Sequence, residues 1–243
     1  MMPTRVSKFK RLLQRWCAAR PVLDEQQMQR LAYWMALPEA DRSAPFAQTR
    51  YVVLDVETTG LNLMTDTLIS IGAVGVVNGR VVLADSFAVV LQQRQSSGRD
   101  NILLHGISGS AQRGGEQPAD ALLDFLEFIG KDPMVAFHVT FDETMIRRAM
   151  RQYLGLTFKH PWLDLAYVMP SLFPALMHSH RVLDDWSGHF DIHNAARHNA
   201  VADALATAQL LLIAMAVGKN AGADSFDGLR SLERTYRYAS GKS

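Results

Sequence analysis

The chain has 243 residues, 48% hydrophobic and 20% charged, with 25 bases against 24 acids. That make-up excludes a disordered or low-complexity chain and predicts one globular domain with short appendages. A single cysteine, Cys17, excludes a disulfide framework and a cysteine-based zinc finger, and fits a reducing, cytoplasmic setting.

The near-neutral total hides an uneven split. Residues 1–20 carry six bases and no acid, which leaves nineteen bases against 24 acids over the rest of the chain. Val6, Phe9, Leu12, Leu13 and Trp16 recur at helical spacing between those bases. Three readings stay open for this arm: a packed accessory helix, a nucleic-acid contact, or an Arg-rich targeting peptide. A second helix is expected near Asp24 to Met35, then a linker through Pro38 and Pro45. The division predicted is a basic helical extension over 1–48, a main domain over 49–217 and a short tail over 218–243.

Tyr51 to Val56 is β-branched and apolar, as in a strand buried on both faces. Leu68 to Val77 and Val81 to Leu91 are two further strands, joined at Asn78-Gly79, the strongest short hairpin signal. Pro118 opens a helix that runs to Ile129. Met134 to His138 is a short strand, and Asp142 to Tyr153 a helix. Trp162 to Phe173 reads as mostly helical, and Arg181 to Phe190 as another helix. Asn199 to Val217 is a long apolar helix, too short and too polar to span a membrane. Hairpin strands followed by alternating helices and strands imply an α/β domain with a mixed sheet flanked by helices.

Four acids stand out. Asp55 and Glu57 lie two apart on the first strand, so both side chains leave on one face. A like-charge pair about 4 Å apart repels by roughly 4 kcal/mol at an effective dielectric near 20, and a divalent cation offsets that cost. Asp142 follows the short strand, where helix capping is the alternative to a chemical role. Asp203 sits in the first turns of the alanine-rich helix, a segment apolar enough that an acid there needs a partner or a metal. His198 precedes it by five residues.

Leu54 to Leu61 (Leu-Asp-Val-Glu-Thr-Thr-Gly-Leu), Phe141-Asp142, and His198 with Asp203 resemble, in this order, the motifs of the DEDD exonuclease superfamily, in its DnaQ-like branch. The histidine five before the last acid resembles the DEDDh subtype. The resemblance spans about residues 50–217 and implies an RNase H-like five-stranded mixed sheet. It further implies that Asp55, Glu57, Asp142 and Asp203 hold two Mg²⁺ or Mn²⁺ ions, with His198 as general base. The activity implied is 3′→5′ removal of nucleoside 5′-monophosphates from single-stranded DNA or RNA ends. DNA is the first expectation, RNA trimming or an inactive binding module the alternatives, and a DNA polymerase a candidate partner. Thr58, Leu61, His105, His138 and Phe141 occupy positions where the family contacts the terminal nucleotide. His105 also fits a purely structural loop role. At 137–138 the family's His-Asn is replaced by Phe137-His138, which changes that contact.

Overall fold

The computed structural model describes residues 21–194 and 196–241; the basic arm with its helical spacing, and Cys17, lie outside the described residues. Helix α1 (Glu25–Ala36) begins at Asp24 in a capping box: the Asp24 carboxylate accepts from Gln27 N at 2.8 Å, and the Gln27 side chain accepts from Asp24 N at 3.1 Å. It docks on the domain through Trp34, whose Nε1 donates to Gly130 O at 2.7 Å.

Strands β1 (Arg50–Thr58), β2 (Leu68–Val77) and β3 (Arg80–Val90) form an antiparallel meander. Asn78 and Gly79 both have positive φ (52° and 67°), the two-residue turn that matches the twist of paired strands. Helices α2 (Arg99–His105), α3 (Gly109–Arg113) and α4 (Pro118–Ile129) follow. Then β4 (Met134–Ala136) runs parallel to β1, and α5 (Val139–Ala149) ends in a π-turn over Met150–Leu154. Strand β5 (Trp162–Asp164) leads directly into α6 (Leu165–Leu172), followed by α7 (Leu183–His189), α8 (Ala200–Asn220) and α9 (Phe226–Ala239). The sheet order is β3-β2-β1-β4-β5.

The sheet separates two cores, and β1 supplies both by alternation. Val52, Leu54 and Val56 pack with α4 and α5, whereas Tyr51 and Val53 pack with α8 and α9. Asp55 and Glu57 continue the Tyr51–Val53 row and therefore face α8.

Several boundaries differ from the sequence expectation. Trp162 to Asp164 is a strand, not the start of a helix; three residues are too few for a period to show. The strand beginning at Met134 stops at Ala136, because His138 adopts a left-handed backbone (φ 66°) and becomes the N-cap of α5. Helix α8 runs 21 residues, with mean hydropathy 1.9 over its most apolar 18-residue window, so it is long and apolar enough to cross a membrane. That corrects the expectation of a stretch too short and too polar. In the fold it lies across β1, β2 and β3 with Leu210, Leu211 and Ala214 buried. The stretch expected as a short tail folds as α9, with Phe226, Leu229 and Glu233 buried.

Candidate active site

Asp55, Glu57 and Asp203 each present a carboxylate oxygen within 4.8 Å of the others, the one potential metal-holding group of three or more such side chains among the described residues. Two features of the backbone make this possible. Asp55 pairs across the sheet with Gly72. A Cβ on Gly72 would run into the backbone of Ala200 and Val201, and would sit 2.8 Å from Ala200 Cβ. Gly72 thus lets the first turn of α8 press onto the sheet beside Asp55. Asn199 then caps α8 by accepting from Ala202 N at 3.2 Å, which fixes Asp203 in that first turn.

Asp142 enters from the other side of the sheet, buried in the first turn of α5. It falls outside the close triplet, yet its charge is the largest that Asp55 feels. Burial, then the charges of Asp142, Asp203 and Glu57, raises Asp55 well above the usual carboxylate range. Burial and Asp203 push Glu57 up to about 8. Burial chiefly, with Asp164 and Glu57 adding to it, raises Asp142. Burial and mutual repulsion outweigh the Arg197 charge at Asp55 and Glu57, so these acids and Asp142 resist ionising together. Oxygen-only donors at this spacing fit a hard divalent cation, and such an ion would supply the missing charge.

His198 is exposed and has a left-handed backbone (φ 61°); its N–H donates to Asp203 Oδ2 at 2.9 Å. Asp203 Oδ1 accepts from Asn194 Nδ2 at 2.6 Å and from the Arg197 guanidinium. Sequence reasoning missed Arg197 and Asn194, although a base inside the segment leading to an isolated acid is a usable signal.

The residues expected at the terminal nucleotide have different environments. Leu61 is 85% exposed at the loop after β1. Arg148 holds that loop by donating to Leu63 O (2.6 Å), Asp66 O (2.8 Å) and Met64 O (3.2 Å). Thr58 is buried and its hydroxyl donates to Gly60 O at 2.7 Å. His105 is buried on α2, with both ring nitrogens engaged. Nδ1 accepts from Ile107 N (2.9 Å), so Nε2 carries the proton and donates to Asn101 Oδ1 (2.8 Å), and Asn101 Nδ2 donates to Thr58 O (3.0 Å). That relay ties α2 to the end of β1, and the four-residue spacing of Asn101 and His105 is the sequence signal for it. A cavity of about 200 Å³ opens there, lined by Glu57, Ser70, His105, Ile107 and Asn199 among others. His138 is exposed and donates from Nε2 to Arg181 O at 3.1 Å; Phe141 is half-buried against the α4 side of the core.

The sequence profile of the Exonuclease family (RNase_T) matches residues 52–211, which contain all four acids and His198. The chain belongs to this Exonuclease family. It carries a 3′→5′ exonuclease domain of the DnaQ-like DEDD class, a hydrolase of phosphodiester bonds. Relatives include the PolC-type DNA polymerase III of Bacillus subtilis, 34% identical over 163 residues (67% of this chain, 11% of that protein). That of Thermotoga petrophila is 28% identical over 193 residues (79% and 14%). The chain thus spans only about a tenth of the length of these relatives. Among solved structures, Escherichia coli Exonuclease I in complex with a dT13 oligonucleotide superposes with a TM-score of 0.60 at 17% identity, covering 71% of this chain and 42% of that one. Cell-death related nuclease 4 (CRN-4) superposes with a TM-score of 0.62 at 14% identity, covering 72% and 65%. These similarities establish the RNase H-like exonuclease fold.

Proposed function

We infer that this domain shortens single-stranded nucleic acid from its 3′ end, DNA in the first place, releasing nucleoside 5′-monophosphates with the help of two Mg²⁺ or Mn²⁺ ions. The observation that carries the reading is the oxygen-only triplet of Asp55, Glu57 and Asp203, half-buried to buried, with three carboxylates facing the single Arg197 guanidinium. Asp142, reaching in from α5, completes a set of four ligands. Bound ions would activate the attacking water and neutralise charge on the leaving 3′ oxygen. His198, exposed beside Asp203, would serve as the general base toward the attacking water. Leu61 and Phe141 offer apolar surface to the terminal base, and Thr58, His105 and His138 line its sugar-phosphate side.

The dT13 complex of Exonuclease I supports single-stranded DNA as substrate. The PolC-type relatives are DNA polymerases, which makes a polymerase the partner class to test first. The experiment is a time course on 5′-labelled single-stranded DNA and RNA, with Mg²⁺, Mn²⁺ or chelator, beside Asp55→Ala. The expected result is a metal-dependent 3′ ladder on DNA that the substitution abolishes. Chelator-resistant degradation would overturn the metal assignment, a ladder on RNA alone would reassign the substrate, and no shortening of either would refute the activity.

A further inference from the structure

Asp203 differs from the other acids of the triplet in already having its oxygens occupied. Oδ1 accepts two donors, Asn194 Nδ2 and the Arg197 guanidinium, and Oδ2 accepts the His198 N–H. A carboxylate oxygen offers two lone-pair positions, so Oδ1 is full. Arg197 also has an ion pair outside the cluster: its Nε lies 2.6 Å from Asp184 Oδ1 on α7, without hydrogen-bond geometry. Asp203 is almost wholly buried there, whereas Asp184 is 60% exposed. The guanidinium therefore bridges the site and the surface.

We propose that Arg197 is a built-in cation that neutralises the carboxylate cluster while it is empty and gives up Asp203 to an entering metal ion, retained by Asp184. The inference rests on the metal reading of the triplet. Three observations lead to it. A metal ion taking Oδ1 has to displace one of two seated donors, and the Arg197 charge is the one it would repel. Arg197 opposes the upward shifts of Asp55 and Glu57, so it compensates all three acids and not Asp203 alone. Asp184 gives the released guanidinium a charged resting place without crossing the site. Because Arg197 adjoins His198, whose N–H also holds Asp203, metal entry and the placement of the His198 backbone are coupled. The segment leading into α8 carries two non-glycine residues with positive φ, Asp191 (55°) and His198 (61°).

The test measures free Mn²⁺ by electron paramagnetic resonance during titration of the full chain and of Arg197→Gln, Arg197→Lys and Asp203→Asn. Removing a competing charge-assisted hydrogen bond should tighten Mn²⁺ binding by about tenfold in Arg197→Gln. Arg197→Lys, which keeps the charge without the fork, should fall between. In chelator, Arg197→Gln should lower the melting temperature, and most of that loss should vanish in the Asp203→Asn background. Equal or weaker Mn²⁺ binding by Arg197→Gln overturns the proposal while the metal reading stands. No Mn²⁺ binding by the unsubstituted chain overturns the metal reading and the proposal with it.

Discussion

Arg237→Met tests whether α9, whose residues lie beyond the family match, holds the site in shape. Asp164 and Glu233 are each 1% exposed and share the Arg237 guanidinium: Nη2 donates to Asp164 Oδ2 and Nε to Glu233 Oε1, both at 2.9 Å. Asp164 Oδ1 in turn accepts from His138 N (2.9 Å), the N-cap of the helix bearing Asp142, and from Ala166 N (3.0 Å). Methionine keeps most of the stem but strands a buried carboxylate. Breaking a buried ion pair from one side costs about 3–5 kcal/mol. Two features argue for the lower end. Glu233 keeps Arg230 at 2.8 Å, and Asp164 keeps its two backbone donors. At about 2–4 °C per kcal/mol for a chain of this size, a loss near 3 kcal/mol lowers the melting temperature by about 6–12 °C. The assay is thermal unfolding in chelator, with Asp164→Asn combined in a double-mutant cycle. The amide removes the uncompensated charge, so the double variant should regain at least half of the loss. A single-variant cost below about 1 kcal/mol, or strict additivity in the cycle, would refute the account.

Two further outcomes follow from the geometry. His160 stacks on Phe158 (centroids 5.5 Å apart) and donates to Asp132 O at 2.6 Å; burial lowers its pKa from 6.5 to about 4. Between those values the unfolded chain binds a proton that the folded one refuses. Stability present above pH 6.5 is therefore lost as pH falls toward 4, by about 3 kcal/mol, and His160→Phe should flatten that stretch of the denaturation profile; parallel profiles would count against it. Gly72→Ala should cost about 1–3 kcal/mol and weaken Mn²⁺ binding, because the new methyl forces the Asp203 helix off the sheet. Unchanged melting and metal affinity would show that the close approach is unimportant.

Much of the domain was legible in the chain. Leu68–Val77 and Pro118–Ile129 match their expected bounds, and the Asn78-Gly79 hairpin forms as its turn chemistry requires. These are long or strongly punctuated segments in which local propensity and burial agree. Strand β5 escaped because a three-residue strand exists only through pairing with β4. Helices α2 and α3 escaped as well: the first is held in place by the Asn101–His105 relay to β1, a partner distant in sequence. The end of the chain was read as a tail for a similar reason. The polar residues of α9 become buried only by closing the network of Arg230, Glu233 and Arg237 with Asp164.

By itself, the sequence determined the family and the candidate side chains. The acids and the histidine come in motifs whose spacing is set by one strand and one helix, so Asp55 with Glu57, and His198 with Asp203, are neighbours before any tertiary contact forms. What only the tertiary structure decided is their state together. Gly72 brings α8 onto β1, burial raises the carboxylates, and Arg197 closes on Asp203 from α7's side of the site. The approach of α8 to β1 and the burial of the acids depend on segments far apart in the chain, and the Arg197 contact on how the intervening loop folds, none of which spacing along a sequence encodes.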